Sequence, residues 1–291
     1  QNLFSIENIT SEGAADLTIY DTSGVNVITT NTGNDTIHSS GGDDTITTGS
    51  GNDTVYLGNG TYTVDLGAGD DTVYLTTNAS SINGNTGTDE AIVRAFDGFV
   101  DVYIDLKFST YFVPSKLTAQ DGMDVSLQNF EKVTIDGNVA ATILGTASAD
   151  TLVGDAGADT ITGRGGADTL TGGSRSDTFV FATGDTGITL ETADTITDFA
   201  TGTDKIDIAT VGNYVEADGA GNADIAAFIT DADASLPTTS IDIYAEYNFN
   251  GEGNTLVVID EDKSGTVTTG DTLIILTGLS TADGLDASDF I

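Results

Sequence analysis

Along much of the chain the aliphatic residues stand singly between polar neighbours, and they return every nine positions. Ile37, Ile46, Val55, Val64 and Val73 form one run, and Leu152, Ile161, Leu170 and Phe179 form another. Ile19, Ile28 and Ile143 extend the runs backwards in weaker form. A triplet such as Thr160-Ile161-Thr162 suits a short strand with one aliphatic side chain turned inward. The residues between triplets are rich in Gly, which supplies the positive φ that tight turns need. The pattern predicts three residues of strand, six of turn, and two rows per coil, so that residues 18 apart stack directly.

Two residues before each aliphatic position stands an acid. The first run carries Asp35, Asp44, Asp53 and Asp71, with Tyr62 in the fourth row, and the second carries Asp150, Asp159, Asp168 and Asp177. Gly lies two residues before most of these, at Gly33, Gly42, Gly51, Gly60, Gly69, Gly157 and Gly166, while Ser148 and Arg175 break the rule. Stacking places Asp150 over Asp168 and Asp159 over Asp177. At a strand spacing of about 4.8 Å two carboxylates repel by about 1 kcal/mol in water, and by about 3–4 kcal/mol at an effective dielectric of 20. A hard divalent cation removes that repulsion. Ca²⁺ accepts six to eight oxygens in loose geometry, whereas Mg²⁺ wants a tight octahedron. Asp35, Asp53 and Asp71 should line one edge as a full ladder. Asp44 lies on the other edge between Asn26 and Tyr62, so that edge is damaged. Tyr62 either stacks on this edge or marks a contact surface.

These phrases resemble the nonapeptide of the RTX family, G-G-x-G-x-D-x-U-x, where U is a large aliphatic residue. The resemblance implies parallel β-rolls that bind several Ca²⁺ ions and fold after export by a type I secretion apparatus. Four regions then follow: a first roll at 1–90, a β insertion at 91–126, a second roll at 127–181, and a C-terminal capping and secretion-signal region at 182–291. "SIENIT" and "LQNFEKVTIDG" read as the openings of the two rolls. The expected class is all-β, with a β-rich C-terminal cap holding one or two short helices, the best candidate being 222–235. "ADTITDFATGTDKIDI" resembles segments that close such rolls, with Asp198 and Asp204 as candidate final ligands or merely solvated. The ending "LDASDFI" resembles a type I secretion signal.

"DEDKSGTVTTGD" is a second calcium signal. Asp260, Asp262, Ser264 and Asp271 stand at loop positions 1, 3, 5 and 12, with Gly265 at 6. This resembles an EF-hand loop, but it ends in Asp rather than Glu and has strand-like flanks. A plain acidic turn is the other reading. The insertion concentrates Phe96, Phe99, Tyr103, Phe108, Tyr111 and Phe112 beside Arg94, Lys107 and Lys116. It reads as a roll cap, or as a contact region for another subunit or a glycan.

Charge narrows the possible partners. With 46 acidic and 8 basic residues the net charge is −38, which excludes nucleic acid and anionic membrane surfaces and favours cations. There is no Cys, so disulfides and thiolate metal sites are excluded. No apolar run is long enough to span a membrane. The first ten residues do not read as a signal peptide and suggest the middle of a longer protein or a processed end. H-E-x-x-H, G-x-S-x-G and a P-loop Lys are absent, and His38, the only histidine, reads as exposed. No enzyme is expected. The leading expectation is a calcium-folded, self-assembling surface-layer or adhesin region, secreted to the cell surface, with cell-surface polysaccharide as a candidate partner. The alternative is the C-terminal secretion and folding module of an exported protease or lipase. Outward Thr rows leave a weaker third idea, a face for ice or polysaccharide.

Overall fold

The computed structural model describes residues 2–76, 80–95, 101–106, 125–208, 213–217, 222, 224–236, 242–249, 251–279 and 284–291. It forms two compact units, residues 1–142 and 143–291. In the first unit the chain crosses between two parallel ladders once per nonapeptide. One ladder takes Asn2–Ile6, Thr18–Asp21, Thr36–His38, Thr54–Tyr56, Thr72–Leu75, Glu90–Ala95 and Lys132–Gly137 in that order. The other takes Asn8–Thr10, Val27–Thr29, Thr45–Thr47, Thr63–Asp65, Ser80–Asn83 and Val125–Gln128. Ile19 pairs with Ile37, Ile37 with Val55 and Val55 with Val73, each 18 residues on. Ile28, Ile46 and Val64 do the same in the other ladder. All of these side chains are buried. A three-residue strand cannot stand alone, so its stability comes from this stacked apolar column.

Val125–Gln128, which spans the expected boundary between insertion and second roll, and Lys132–Gly137, expected in the second roll, pair with Ser80–Asn83 and Glu90–Ala95. They extend the first unit's ladders. In the insertion, Phe96, Phe99, Phe108, Tyr111, Phe112, Lys107 and Lys116 lie outside the described residues.

The turns leave no room for side chains at their tightest point. Gly51 has φ +125°, and a Cβ there would run into the Gly33 carbonyl one coil back. On the outer face Tyr20, His38, Tyr56 and Tyr74 stack as a column, with centroid spacings of 4.5, 4.6 and 4.5 Å and nearly parallel planes. Arg94 caps it, 4.9 Å over the Tyr74 ring and 3.6 Å from Asp136. His38 is therefore half-buried between two rings rather than free at an edge, and burial lowers its pKa.

The second unit begins with the same construction. Thr151–Val153, Thr169–Thr171 and Asp194–Ile196 stack on one side, and Thr160–Thr162, Thr178–Phe181 and Lys205–Ile208 on the other. Then the geometry changes. Thr272–Leu276 joins Asp194–Ile196 in parallel, and Asn254–Asp260 and Asp242–Phe249 follow antiparallel. A helix, Ile225–Ser235, covers this sheet, its start fixed by Ala227 N–H donating to the Asp224 carboxylate at 2.9 Å. Phe228 and Ala232 pack on Tyr244, Phe249, Leu256 and Leu273. The molecule is all-β with parallel rolls and, among the described residues, one short α-helix and a short 3₁₀ turn at Ala287–Asp289.

Candidate metal centres

Each repeat Asp sits at the end of a turn, just before its strand, and in most rows its first oxygen accepts the backbone N–H one coil back; Asp150, in the first row of the second unit, instead accepts the Thr146 N–H and hydroxyl at 2.6 and 2.9 Å. In the second unit Asp150 N–H donates to Asp168 and Asp159 N–H to Asp177, both at 2.8 Å. Asp168 N–H then donates to Asp194 at 2.8 Å and Asp177 N–H to Asp204 at 3.0 Å. In the first unit one column runs Leu17, Asp35, Asp53, Asp71, Asp89, each N–H donating to the next carboxylate at 2.7–2.9 Å. It ends where Asp89 N–H reaches Glu131 at 2.9 Å. Asp150 and Asp168 thus share one stack, as do Asp159 and Asp177.

The second carboxylate oxygen is the chemically telling atom. Oδ2 of Asp168, Asp177 and Asp194 is buried and has no hydrogen-bond partner. A carboxylate so placed is costly unless protonated or met by a cation. Burial first, and then neighbouring carboxylates, push Asp168 and Asp177 up to about 6 and Asp194 to about 8, against the lowering effect of the backbone bonds. Those of Asp168 and Asp177 lie over glycines five residues earlier. A Cβ on Gly163 or Gly172 would collide with Oδ2 of Asp168 or Asp177. At Gly145 and Gly154 a Cβ would meet two oxygens, the Oδ2 of Asp150 or Asp159 and the carbonyl of Gly163 or Gly172. Carboxylate and carbonyl oxygens converging on a turn with no side chain are the hard donors Ca²⁺ takes. The residues fit the ion, which would neutralise the buried charge and tie neighbouring coils.

The first unit keeps the acids but fills the turn. Five residues before Asp35, Asp53 and Asp71 stand Thr30, Thr48 and Leu66, all buried. The Thr30 hydroxyl donates to the Thr48 carbonyl at 2.7 Å, and the Thr48 hydroxyl donates to the Leu66 carbonyl. On the other edge Asp44 accepts Asn26 N–H at 2.8 Å on Oδ1 and the Ser39 hydroxyl at 2.7 Å on Oδ2. Tyr62 neither lies on the rim nor offers a contact surface. Its ring is buried and its hydroxyl is 3.3 Å from Ser39 Oγ, because in this row it fills the interior where a ligand would stand. Oδ2 of Asp35, Asp53 and Asp71 is also buried without a partner, and burial raises Asp71 to about 7.

The C-terminal loop brings Asp260, Asp262 and Asp271 together, with one oxygen of each within 4.8 Å of the others. Its own groups already bind them. Gly265 N–H donates to Asp260 at 2.8 Å, Ser264 N–H to Asp262 at 2.9 Å, and Thr268 N–H to Asp271 at 2.6 Å. The Ser264 hydroxyl also donates to the Thr266 carbonyl at 2.8 Å. Burial raises the pKa of Asp260, while hydrogen bonds from Ser264 lower that of Asp262. Asp198 is not simply solvated; it accepts the N–H groups of Gly172 and Gly173 at 3.0 and 2.7 Å.

Two ladder acids escape a strict nine-residue count. Asp89 stands 18 after Asp71, with Gly87 before it and Ala91 after. Asp194 lies 26 after Asp168, behind an insertion, yet its Asp-Thr-Ile repeats the triplet at Asp35. Comparison with curated proteins finds no relative. The family model of the RTX calcium-binding nonapeptide repeat, four copies long, matches residues 20–55, 29–64 and 144–179. These residues lie within the stacked ladders of both units, and what they carry are RTX calcium-binding nonapeptide repeats.

Proposed function

We propose that this is a calcium-folded structural protein of the cell surface, exported and self-assembling, with no catalysis of its own. Its RTX repeats are calcium-binding, and proteins with such repeats are typically secreted. No helix among the described residues is long and apolar enough to cross a membrane. The observation that carries the reading is the set of buried, unpartnered oxygens of Asp168, Asp177 and Asp194 in a chain of net charge −38. Ion-binding free energy in such turns is folding free energy, so scarce cytosolic calcium would keep the second roll open until export. Charge neutralisation would then let copies approach. A second reading, the secretion and folding module of an exported enzyme, draws support from the closure of the second roll by Asp194, Asp198 and Asp204 and its adjoining β cap.

Electron microscopy and light scattering of the purified chain, with chelator and with millimolar Ca²⁺, test assembly. Ordered sheets or filaments only with calcium support the surface reading, and monomers at high protein and calcium favour the secretion module. Arg94 is engaged by Tyr74 and Asp136. Lys107→Glu with Lys116→Glu is therefore the cleaner reversal variant, expected to fold with calcium yet stay monomeric.

A further inference from the structure

Resting on the calcium reading, we infer that the two blocks differ in kind: the second is ion-closed, while the main run of the first is closed by its own side chains. The residue five before each ladder position decides. Before the four nonapeptide acids of the second block it is Gly145, Gly154, Gly163 and Gly172, while Thr189 and Phe199 precede the closing acids Asp194 and Asp204. Gly154, Gly163 and Gly172 leave their Asp Oδ2 against a bare Cα, and at Gly154 a carbonyl of the next coil joins it; at Gly145 a carbonyl also converges, but Asp150 Oδ2 there already accepts the Thr146 N–H and hydroxyl.

In the first block the same place holds Thr30, Ser39, Thr48, Leu57, Leu66 and, before Ser80, Leu75. All are buried. These side chains do two things an ion would otherwise do. The Thr hydroxyls cap the carbonyls of the next coil, Thr30 to Thr48 and Thr48 to Leu66, so those oxygens are already spoken for. The Ser39 hydroxyl takes the second oxygen of Asp44 and approaches the Tyr62 hydroxyl, completing a polar cluster without a cation. Leu57, Leu66 and Leu75 occupy the turn with hydrocarbon, and a hydrated divalent ion gains nothing there. Asp35, Asp53 and Asp71 still carry a second buried oxygen, but the space beside it is taken. Glycine returns at this position only at Gly84, where Asp89 Oδ2 and the Asn129 carbonyl converge. That turn is the single ion cradle this rule assigns to the first unit among the described residues. The match to the repeat sequence in residues 20–64 reports the Asp and aliphatic register, which both blocks share.

Hydrogen exchange by mass spectrometry on the full chain, in chelator and in Ca²⁺, separates the blocks. Peptides over 45–75 should be equally protected in both conditions. Peptides over 151–181 should exchange at least tenfold faster in chelator. Gly154→Ala with Gly163→Ala and Gly172→Ala should abolish calcium protection of 151–181 and leave 45–75 unchanged. The reciprocal variant, Thr48→Gly with Leu66→Gly, should make 45–75 calcium-dependent, and this holds the inference to account even if the alanine variant fails to fold. If wild-type 45–75 needs calcium as 151–181 does, the inference is overturned while the calcium reading stands. If calcium changes neither segment, the calcium reading itself fails.

Discussion

The two rolls share a register and differ in what fills their turns. Ile37 over Val55 in the first and Leu152 over Leu170 in the second are the same apolar column. Asp53 binding Asp35 N–H and Asp168 binding Asp150 N–H are the same polar column. Yet Thr48 stands where Gly163 does, and a hydroxyl and a cation are different answers to one problem, an oxygen-lined turn removed from water. The difference teaches that a repeat can keep its fold while changing what completes it. Strand and register depend on the aliphatic and Asp positions; ion demand depends on a third position that neither constrains.

The largest effect should separate Asp168→Ala from Asp44→Ala. Losing Asp168 removes the acceptor for Asp150 N–H and an ion-facing oxygen, so the calcium midpoint of the second unit should rise at least tenfold. Losing Asp44 strands Asn26 N–H and the Ser39 hydroxyl instead. It should cost the first unit about 1–3 kcal/mol and leave the calcium midpoint in place. A calcium titration and a urea melt of each variant read both numbers, and equal midpoint shifts would erase the distinction.

Acidity should come next. Asp168 and Asp177 are raised to about 6 and Asp194 to about 8, chiefly by burial. A raised carboxyl favours the folded state while protonated. Without calcium, this contribution to the second unit is therefore full below pH about 4, the unfolded value, and is lost as pH rises through 6 and 8. Calcium needs the deprotonated form, so its midpoint should climb as pH falls from 8 to 6. Chelator melts at pH 5 and 9, beside calcium titrations over that window, check both signs. A calcium midpoint independent of pH would mean these carboxylates are not the ligands.

The smallest effect concerns the outer face. Tyr56 stacks on His38 and Tyr74, whereas Val153, Thr171 and Thr197 hold the outward row in the second unit. Tyr56→Thr removes two ring contacts and should destabilise the first unit by about 1–3 kcal/mol at most, given about 0.5–1.5 kcal/mol per aromatic pair. Thermal melts should show this with no change in calcium binding.

Much of this was legible in the nonapeptide. Ile37, Val55 and Leu170 announced the strands, and Asp35, Asp53 and Asp168 announced the stacks, because both depend on a fixed step along the chain. The exceptions are residues whose role is set across space. Asp194 is displaced by the insertion before it and is recognised only when Asp168 N–H is seen to reach it. Tyr62 reads as a surface aromatic until the absence of an Asp in its row is matched with a ring-sized space inside. His38 is held by Tyr20 and Tyr56, one coil away on each side. Thr30, Thr48 and Leu66 were visible as departures from Gly, but their meaning lies in the carbonyls they cap and the space they fill.

The 18-residue pairing also governs how such a chain can change its length over generations. Removing residues 36–53 would bring Thr54–Tyr56 beneath Thr18–Asp21, set Tyr56 on Tyr20 and keep every later row on its own side. Removing only 45–53 would send each later row of the first unit to the opposite ladder, lifting Tyr56 and Tyr74 out of the column that begins at Tyr20 and His38. Duplication and loss are thus tolerated in pairs of repeats and penalised singly, so descendants of this gene should carry repeat counts that differ by even numbers within a block.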